Sequence, residues 1–446
     1  MNDDRLIILE AMLLIEKDGA KYVIANVLDK YSYLDIQDRR FIKRILEGTL
    51  ERRIELDYII DSFSKVKVNK LKPVIRNILR MGIYQLKYMD SVPASAVCNE
   101  AVKLAEKKGF RNLKGYVNGV LRNVARNLNA IEYPGDTITK LSVTCSCPKW
   151  LCEWLVNQYG EGNTETILLD SLEQSPLHIR VNNSKISVRE LKDMLTHEGL
   201  LVESVLNIED MLSIKNVDSI ESLKSFNRGL FQVQDISSVL VGKIAGIEKN
   251  AVVFDVCAAP GGKTVHALDI LQGTGEVFSF DVSENKTELI RENVNRCGFK
   301  NVIIEERDAL CEYPEYFEKA DVLIADLPCS GLGVLRRKND IKYNVTIDGL
   351  KELAQLQRQM LTNVSRYVKP GGIMIFSTCT INPGENVDNY RWILENLPFD
   401  YVDFFDYLPE QLRKNEAKCG YLQLVQGLDG TDGFFISKFR KKTDGI

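Results

Sequence analysis

Two short segments of the chain carry side chains able to make and break covalent bonds, Asp326-Leu327-Pro328-Cys329-Ser330-Gly331 and Ser377-Thr378-Cys379-Thr380. Only the thiolate of a cysteine attacks carbon, and a free cysteine is a few per cent ionised at neutral pH unless its surroundings favour the anion. Either cysteine alone reads as a small buried hydrophobe. Each ends an apolar, strand-like run, however, and Asp326 stands beside the first, so the pair points to thiol chemistry. Histidine occurs only at His178, His197 and His266, which argues against a histidine-based metal centre or a Ser-His-Asp machine.

A second constellation suggests what the thiols work beside. The run Asp255-Val256-Cys257-Ala258-Ala259-Pro260-Gly261-Gly262-Lys263-Thr264 closes an apolar strand with small residues and turns into a helix. Glycines let a ligand approach the backbone, and the first amides of a helix accept anionic groups. The spacing is neither a dinucleotide fingerprint nor a phosphate-binding P-loop. Asp281 ends the next strand, 20 residues after Gly261, where a carboxylate can accept from both hydroxyls of a ribose. Asp308 similarly ends a third strand and is placed to face an adenine edge. Aspartates at the ends of successive strands favour a nucleoside ligand.

The elements that must position these groups follow from periodicity. Apolar runs at 251–256, 276–280, 302–305, 321–325 and 372–376 alternate with helical stretches, the pattern of a doubly wound, mostly parallel sheet. Residues 400–405 and 433–439 are expected as two closing strands, paired as a terminal hairpin. Upstream, residues 142–231 mix helices at 148–159 and 188–198 with brief strands such as His178-Ile179-Arg180-Val181, a small α+β domain. Before Pro134-Gly135-Asp136 the pattern is helical from Arg5 to Leu128. Val117, Leu121, Val124 and Leu128 fall on one helical face there, and Arg122 and Arg126 project from another. The expected domains are therefore 1–132, 142–232 and 233–446, an all-α module, an α+β module and an α/β Rossmann-like module.

Charge divides along the same lines. Residues 1–140 hold 25 basic and 18 acidic side chains, and the remainder hold 33 and 44, within a net charge of -4. A basic module with Lys65, Lys67, Lys70 and Lys72 in one run, joined to an acidic one, suggests a nucleic-acid-binding appendage on an enzyme. No stretch reaches the roughly 20 apolar residues of a membrane span, and the start Met1-Asn2-Asp3-Asp4 is no secretory signal, so a cytoplasmic location is expected. Ten cysteines are then expected as thiols. Cys145, Cys147 and Cys152 have irregular spacing and no evident fourth ligand, so no metal is expected.

The catalytic segments resemble the signature motifs of RNA cytosine-C5 methyltransferases, and the whole chain is similar to the bacterial RsmB (Sun/Fmu) family that methylates a cytosine of 16S ribosomal RNA. Gly115-Tyr116-Val117-Asn118-Gly119-Val120-Leu121-Arg122 resembles that family's NusB-like RNA-binding domain. Phe231-Gln232-Val233-Gln234-Asp235-Ile236-Ser237-Ser238 and Asp429-Gly430-Thr431-Asp432-Gly433-Phe434-Phe435 also fit. Around Gln423-Leu424-Val425-Gln426 the chain departs, lacking a proline and histidine expected before the glycine.

The resemblance implies S-adenosylmethionine as cofactor, held by Cys257, Ala258, Ala259, Pro260, Gly261, Gly262, Lys263, Asp281, Asp308 and Asp326. It implies Cys379 as the nucleophile and Cys329 as the aid to release, with Asp326 and Lys263 beside the target base. It further implies 16S ribosomal RNA as partner, naked or in an assembling subunit, and a monomer without membrane or obligate protein partner. In a DNA cytosine-C5 methyltransferase the cysteine after proline, here Cys329, would attack instead, and Glu385-Asn386-Val387 matches a tripeptide of that class. It falls after the fifth strand rather than before it, which makes the match coincidental. A catalytically silent RNA-binding scaffold is disfavoured by the intact aspartates and cysteines.

Overall fold

The structure is a computed structural model that describes residues 4–18, 26–27, 30–31, 33–173, 176–217, 219–338 and 340–443. The start Met1-Asn2-Asp3 lies outside them. The chain divides into two compact units, Met1–Leu172 with Lys338–Asn344, and Glu173–Arg337 with Val345–Ile446.

The first unit is helical, as the three- and four-residue apolar spacing requires. Helices Asp4–Asp18, Ile36–Glu51, Arg53–Phe63, Pro73–Tyr88, Ala94–Lys107 and Lys114–Arg126 bury one continuous core that includes Ile8, Leu46, Ile60, Leu79, Ala105, Val117 and Leu121. Local signals set the helix starts. Asp35 accepts from the Asp38 amide ahead of Ile36–Glu51, and Pro73 occupies a first-turn position where its missing N–H costs nothing. Asp136 caps Thr137–Thr144 in the same way, directly after the Pro-Gly break, and Lys149–Tyr159 and Glu161–Asp170 follow within this unit. Cys145, Cys147 and Cys152 are buried here, with the Cys152 thiol 3.8 Å from the Cys147 carbonyl. Of the arginine stripe, Arg122 and Arg126 are exposed, and so are Lys65, Lys67, Lys70 and Lys72.

The second unit holds two sheets. The smaller is antiparallel, in the order β2-β3-β1-β4, from β1 (Leu177–Val181), β2 (Leu201–Ser204), β3 (Met211–Lys215) and β4 (Phe231–Val233). Helix Val188–His197 covers it with Leu191 and Leu195 and starts at a reciprocal capping box of Ser187 and Glu190.

The larger sheet contains β5 (Val252–Val256), β6 (Glu276–Asp281), β7 (Val302–Glu306), β8 (Ala320–Asp326), β9 (Val368–Thr378), β10 (Phe399–Tyr401), β11 (Tyr421–Leu424) and β12 (Phe434–Lys441). Its order is β10-β12-β9-β8-β5-β6-β7; the strands from β9 to β7 are parallel, and β12 adds antiparallel to β9. Alternation along the strands builds two cores. Val253, Val322, Ile324 and Ile375 face helices Ile236–Ala245, Gly262–Leu271 and Glu284–Cys297, while Phe254, Leu323, Ala325 and Phe376 face Ile347–Val364 and Val387–Asn396. Phe254 sits among Phe278, Phe280, Tyr316 and Tyr367, with ring centroids 4.8 to 5.9 Å away.

The C-terminal strands differ from expectation. The strand expected over 400–405 is confined to Phe399–Tyr401, because Phe404 turns into the core and Phe405–Tyr407 forms a 3-10 turn. The terminal hairpin is made by β11 and β12 instead. The outer edge of β12 is thus shared end to end, with Phe434–Ser437 on β11 and Phe439–Lys441 on β10.

Candidate active site

In this sheet β8 and β9 are parallel neighbours, and Asp326 lies opposite Ser377 in their register. The segments that carry the two cysteines therefore leave the sheet side by side, at the carboxyl edge where open α/β sheets bind ligands. Cys329 and Cys379, 50 positions apart, bring their sulfurs to 3.2 Å. Several bonds lock the two turns together. The Leu327 amide donates to the Ser377 carbonyl at 3.1 Å and the Gly333 amide to the Cys379 carbonyl at 3.1 Å. Gly333 is obligatory there, since a Cβ on it would meet the Gly433 carbonyl oxygen at 1.9 Å, and the Gly433 amide donates to Gly333 at 2.7 Å.

Both thiols are half-buried. The hydrogen bond to Cys379, then burial, then the charges of Cys379, Glu385 and Asp326 push the Cys329 thiol well above the ordinary cysteine range. The Cys329 thiol therefore keeps its proton at neutral pH. Lys263, in the first turn of Gly262–Leu271, reaches Asp326 Oδ2 at 2.5 Å and lies 5.5 Å from the Phe434 ring centre. Burial opposes the ammonium charge, but the Asp326 carboxylate outweighs it, with help from Asp255 and Cys379, and raises the Lys263 pKa. A retained positive charge thus sits near Cys379. The Ser377 hydroxyl donates to Asp326 Oδ1 at 2.7 Å, so both carboxylate oxygens are fixed.

Next along the sheet, β5 ends in the Cys257–Gly262 turn and β6 in Asp281. Asp281 is buried; its Oδ2 accepts from the Ala259 amide at 2.9 Å, and its Oδ1 from the Val282 amide at 2.8 Å and from Lys286 at 2.9 Å. Three of about four acceptor positions are used, and the Lys286 contact is half-exposed and exchangeable, which leaves room for ribose hydroxyls. Gly261 has φ 101°, a conformation only glycine adopts freely, and a Cβ there would crowd Ile290 at 3.3 Å. Burial pushes the Cys257 thiol in this turn up to about 12, making it inert. Asp308 lies two residues beyond β7, where its Oδ1 caps the Leu310 amide at 2.9 Å. The strand-end turns of β5, β6 and β8 therefore form a cradle suited to a nucleoside, with the cysteine pair at its β8–β9 side.

Motifs and spacing do not show three contacts of the site. Phe434 lies against Lys263. Gln423, flagged only as a departure, accepts from Asn386 at 2.7 Å and donates to the Phe434 carbonyl at 3.1 Å. Glu385 and Asn386, set aside as coincidence, lie buried behind the cysteine turns.

The likeness to known proteins agrees with this geometry. Residues 244–440 match the model of the 16S rRNA methyltransferase RsmB/F family, residues 3–126 the NusB family, and residues 147–221 the ferredoxin-like domain of RsmF/B-like methyltransferases. A probable ribosomal RNA small subunit methyltransferase B of Bacillus subtilis is 34% identical over 98% of this chain and 98% of its own. The chain belongs to the ribosomal RNA small subunit methyltransferase B family. Its counterpart from Proteus mirabilis is 28% identical over 94% of this chain and 92% of its own. A methyltransferase homologue from Pyrococcus horikoshii, solved by crystallography, is 27% identical and covers 69% of this chain and all of its own at a TM-score of 0.58. The protein is thus a methyltransferase dependent on S-adenosylmethionine, with a NusB-like helical domain, a ferredoxin-like middle domain and a C-terminal methyltransferase domain on a mixed sheet. Among the described residues no helix is long and apolar enough to cross a membrane.

Proposed function

We propose that the protein methylates C5 of a cytosine in 16S ribosomal RNA through a transient covalent bond between Cys379 and C6 of the base. The observation that carries this reading is the 3.2 Å pairing of two thiols beside the Lys263–Asp326 ion pair. Cytosine C5 is a poor nucleophile, and adding sulfur to C6 turns the ring into an enamine that is not.

Cys257–Lys263, Asp281 and Asp308 would hold S-adenosylmethionine, which would supply a methyl group on a positively charged sulfur. The protein's own residues supply the rest. Cys379, with the Lys263 charge near it, adds to C6 as the thiolate. Asp326, held by Lys263 and Ser377, stabilises the charge that this addition places at ring nitrogen N3. Once C5 carries the methyl group, its proton departs to solvent, and the electrons of that C–H bond re-form the C5–C6 double bond as the S–C6 bond breaks and its electron pair returns to Cys379. Cys329, held protonated, has its S–H within reach of that departing sulfur. This division of labour distinguishes Cys329 from a nucleophile.

The exposed lysines of the 65–72 run and Arg122 and Arg126 offer cations for RNA phosphates, a sequence-independent grip that leaves selection of the base to the site. RNA bases in helices are stacked, so the target is a single-stranded or flipped-out cytosine. The test is an in-vitro reaction with 16S transcript tritiated at cytosine C5. Tritium release in proportion to methyl incorporation is expected; methyl incorporation without release contradicts C5 as the acceptor.

A further inference from the structure

Behind the cysteine turns lies a pair of buried side chains that the reaction scheme does not use. Glu385 and Asn386 are fully buried at the turn preceding helix Val387–Asn396. The Glu385 carboxylate accepts from four donors: the Ser330 amide at 2.9 Å, the Ser330 hydroxyl at 2.5 Å, Gln357 Nε2 at 3.0 Å and Asn382 Nδ2 at 3.0 Å. Ser330 follows Cys329 directly. Gln357 also donates to the carbonyl of Pro328, on the other side of Cys329, at 3.0 Å. The Cys329 turn is therefore gripped on both flanks by groups that meet at one carboxylate.

Asn386 treats Cys379 in the same way. Its Oδ1 accepts from the Thr378 hydroxyl at 2.6 Å, and its Nδ2 donates to the Thr380 carbonyl at 2.9 Å and to Gln423 Oε1 at 2.7 Å. Thr378 and Thr380 flank Cys379. The Thr380 hydroxyl, in turn, lies 2.7 Å from the Ser330 hydroxyl. Two consecutive residues thus each hold one cysteine, and a serine–threonine contact joins the two halves.

We propose that Glu385 and Asn386 are positioning residues that set the two thiols at working distance, Glu385 acting on Cys329 and Asn386 on Cys379. The inference deepens the proposed function, since it takes the roles of the two cysteines from that reading. It also separates the two residues functionally. Disturbing Glu385 displaces the thiol that meets the departing sulfur, so attack survives and release fails. Disturbing Asn386 displaces the attacking thiol, so the covalent bond forms slowly.

Glu385→Gln keeps shape but turns one acceptor into a donor facing donors, and Asn386→Asp sets an oxygen against two acceptors. Ser330→Ala is a milder probe of the same half, removing a single hydroxyl. Two readouts are needed. The first is the rate at which diamide joins Cys329 to Cys379, followed by peptide mass spectrometry on the folded full-length protein. It reports thiol placement whatever the catalytic roles, and a drop of at least tenfold in Glu385→Gln and Asn386→Asp is expected, with a smaller one in Ser330→Ala.

The second readout is the RNA-linked fraction on a denaturing gel. It is expected to rise at least tenfold over the unmodified protein in Glu385→Gln and to fall below it in Asn386→Asp. Unchanged diamide rates in variants that still gain thermal stability from S-adenosylmethionine overturn the positioning role. Slowed diamide rates with equal loss of adduct in both variants overturn the division between the residues. If Cys329→Ala run alongside gives no adduct, the fault lies with the roles of the cysteines, and the diamide rates still decide the positioning.

Discussion

Asp255 offers a quantitative test of how the cofactor cradle is built. It is fully buried on β5; the Thr264 hydroxyl donates to its Oδ2 at 2.6 Å, and its Oδ1 has no hydrogen-bond partner. Burial raises its pKa from an ordinary 3.8 to about 7, against the lowering effects of Thr264 and Lys263. Between these two values the folded protein keeps the proton and the unfolded chain does not, so raising the pH destabilises the fold. The slope is about 1.4 kcal/mol per pH unit, and over three units the loss reaches about 4 kcal/mol. The stabilising contribution is fully present below pH 4, falls as pH rises, and levels off above pH 7.

Asp255→Asn is nearly isosteric, neutral throughout, and can place its amide nitrogen where Oδ1 now lacks a donor. The difference in stability between variant and unmodified protein should therefore grow with pH in favour of asparagine, by about 1.4 kcal/mol per unit from pH 5 to 7. Native-state hydrogen exchange of the β5 amides reads this locally in a multidomain protein, and comparison at each pH cancels the intrinsic exchange rate. Parallel pH dependences for the two proteins would mean that Asp255 takes up no proton on folding.

Other outcomes follow from the site. Asp281→Ala removes the acceptor of contacts from Ala259, Val282 and Lys286 and, in the proposed function, of the ribose, so calorimetry should show at least tenfold weaker S-adenosylmethionine binding. Lys263→Met leaves the Asp326 carboxylate without its cation, and methylation in single-turnover assays at saturating S-adenosylmethionine should fall at least a hundredfold. Replacing both Arg122 and Arg126 by glutamate should weaken RNA binding and reduce the slope of log affinity against log salt by about 2 units. Binding of S-adenosylmethionine alone should be unaffected.

Legibility in the sequence followed the range of the interactions. The five parallel strands were readable because each is an apolar run between helical patterns, and the aspartates and cysteines at their ends needed only strand order to converge. Strand β11, Tyr421-Leu422-Gln423-Leu424, is four residues long and lies between Gly420 and Gly427, too short for its alternation to register. It exists because β12 offers it an edge. The strand expected over 400–405 was shortened by a tertiary effect, the burial of Phe404. The position of Glu385 along the chain points to no role, because its partner Ser330 lies 55 residues away. Only the fold shows that contact.

In the proposed reaction Cys379 attacks and Cys329 aids release, and one experiment separates the two roles directly. Cys329→Ala and Cys379→Ala should each be incubated with S-adenosylmethionine and 16S transcript, then resolved on a denaturing gel. A retarded protein–RNA band is expected for Cys329→Ala, and neither band nor product for Cys379→Ala. A band from Cys379→Ala, with none from Cys329→Ala, would mean that the two thiols have the opposite roles.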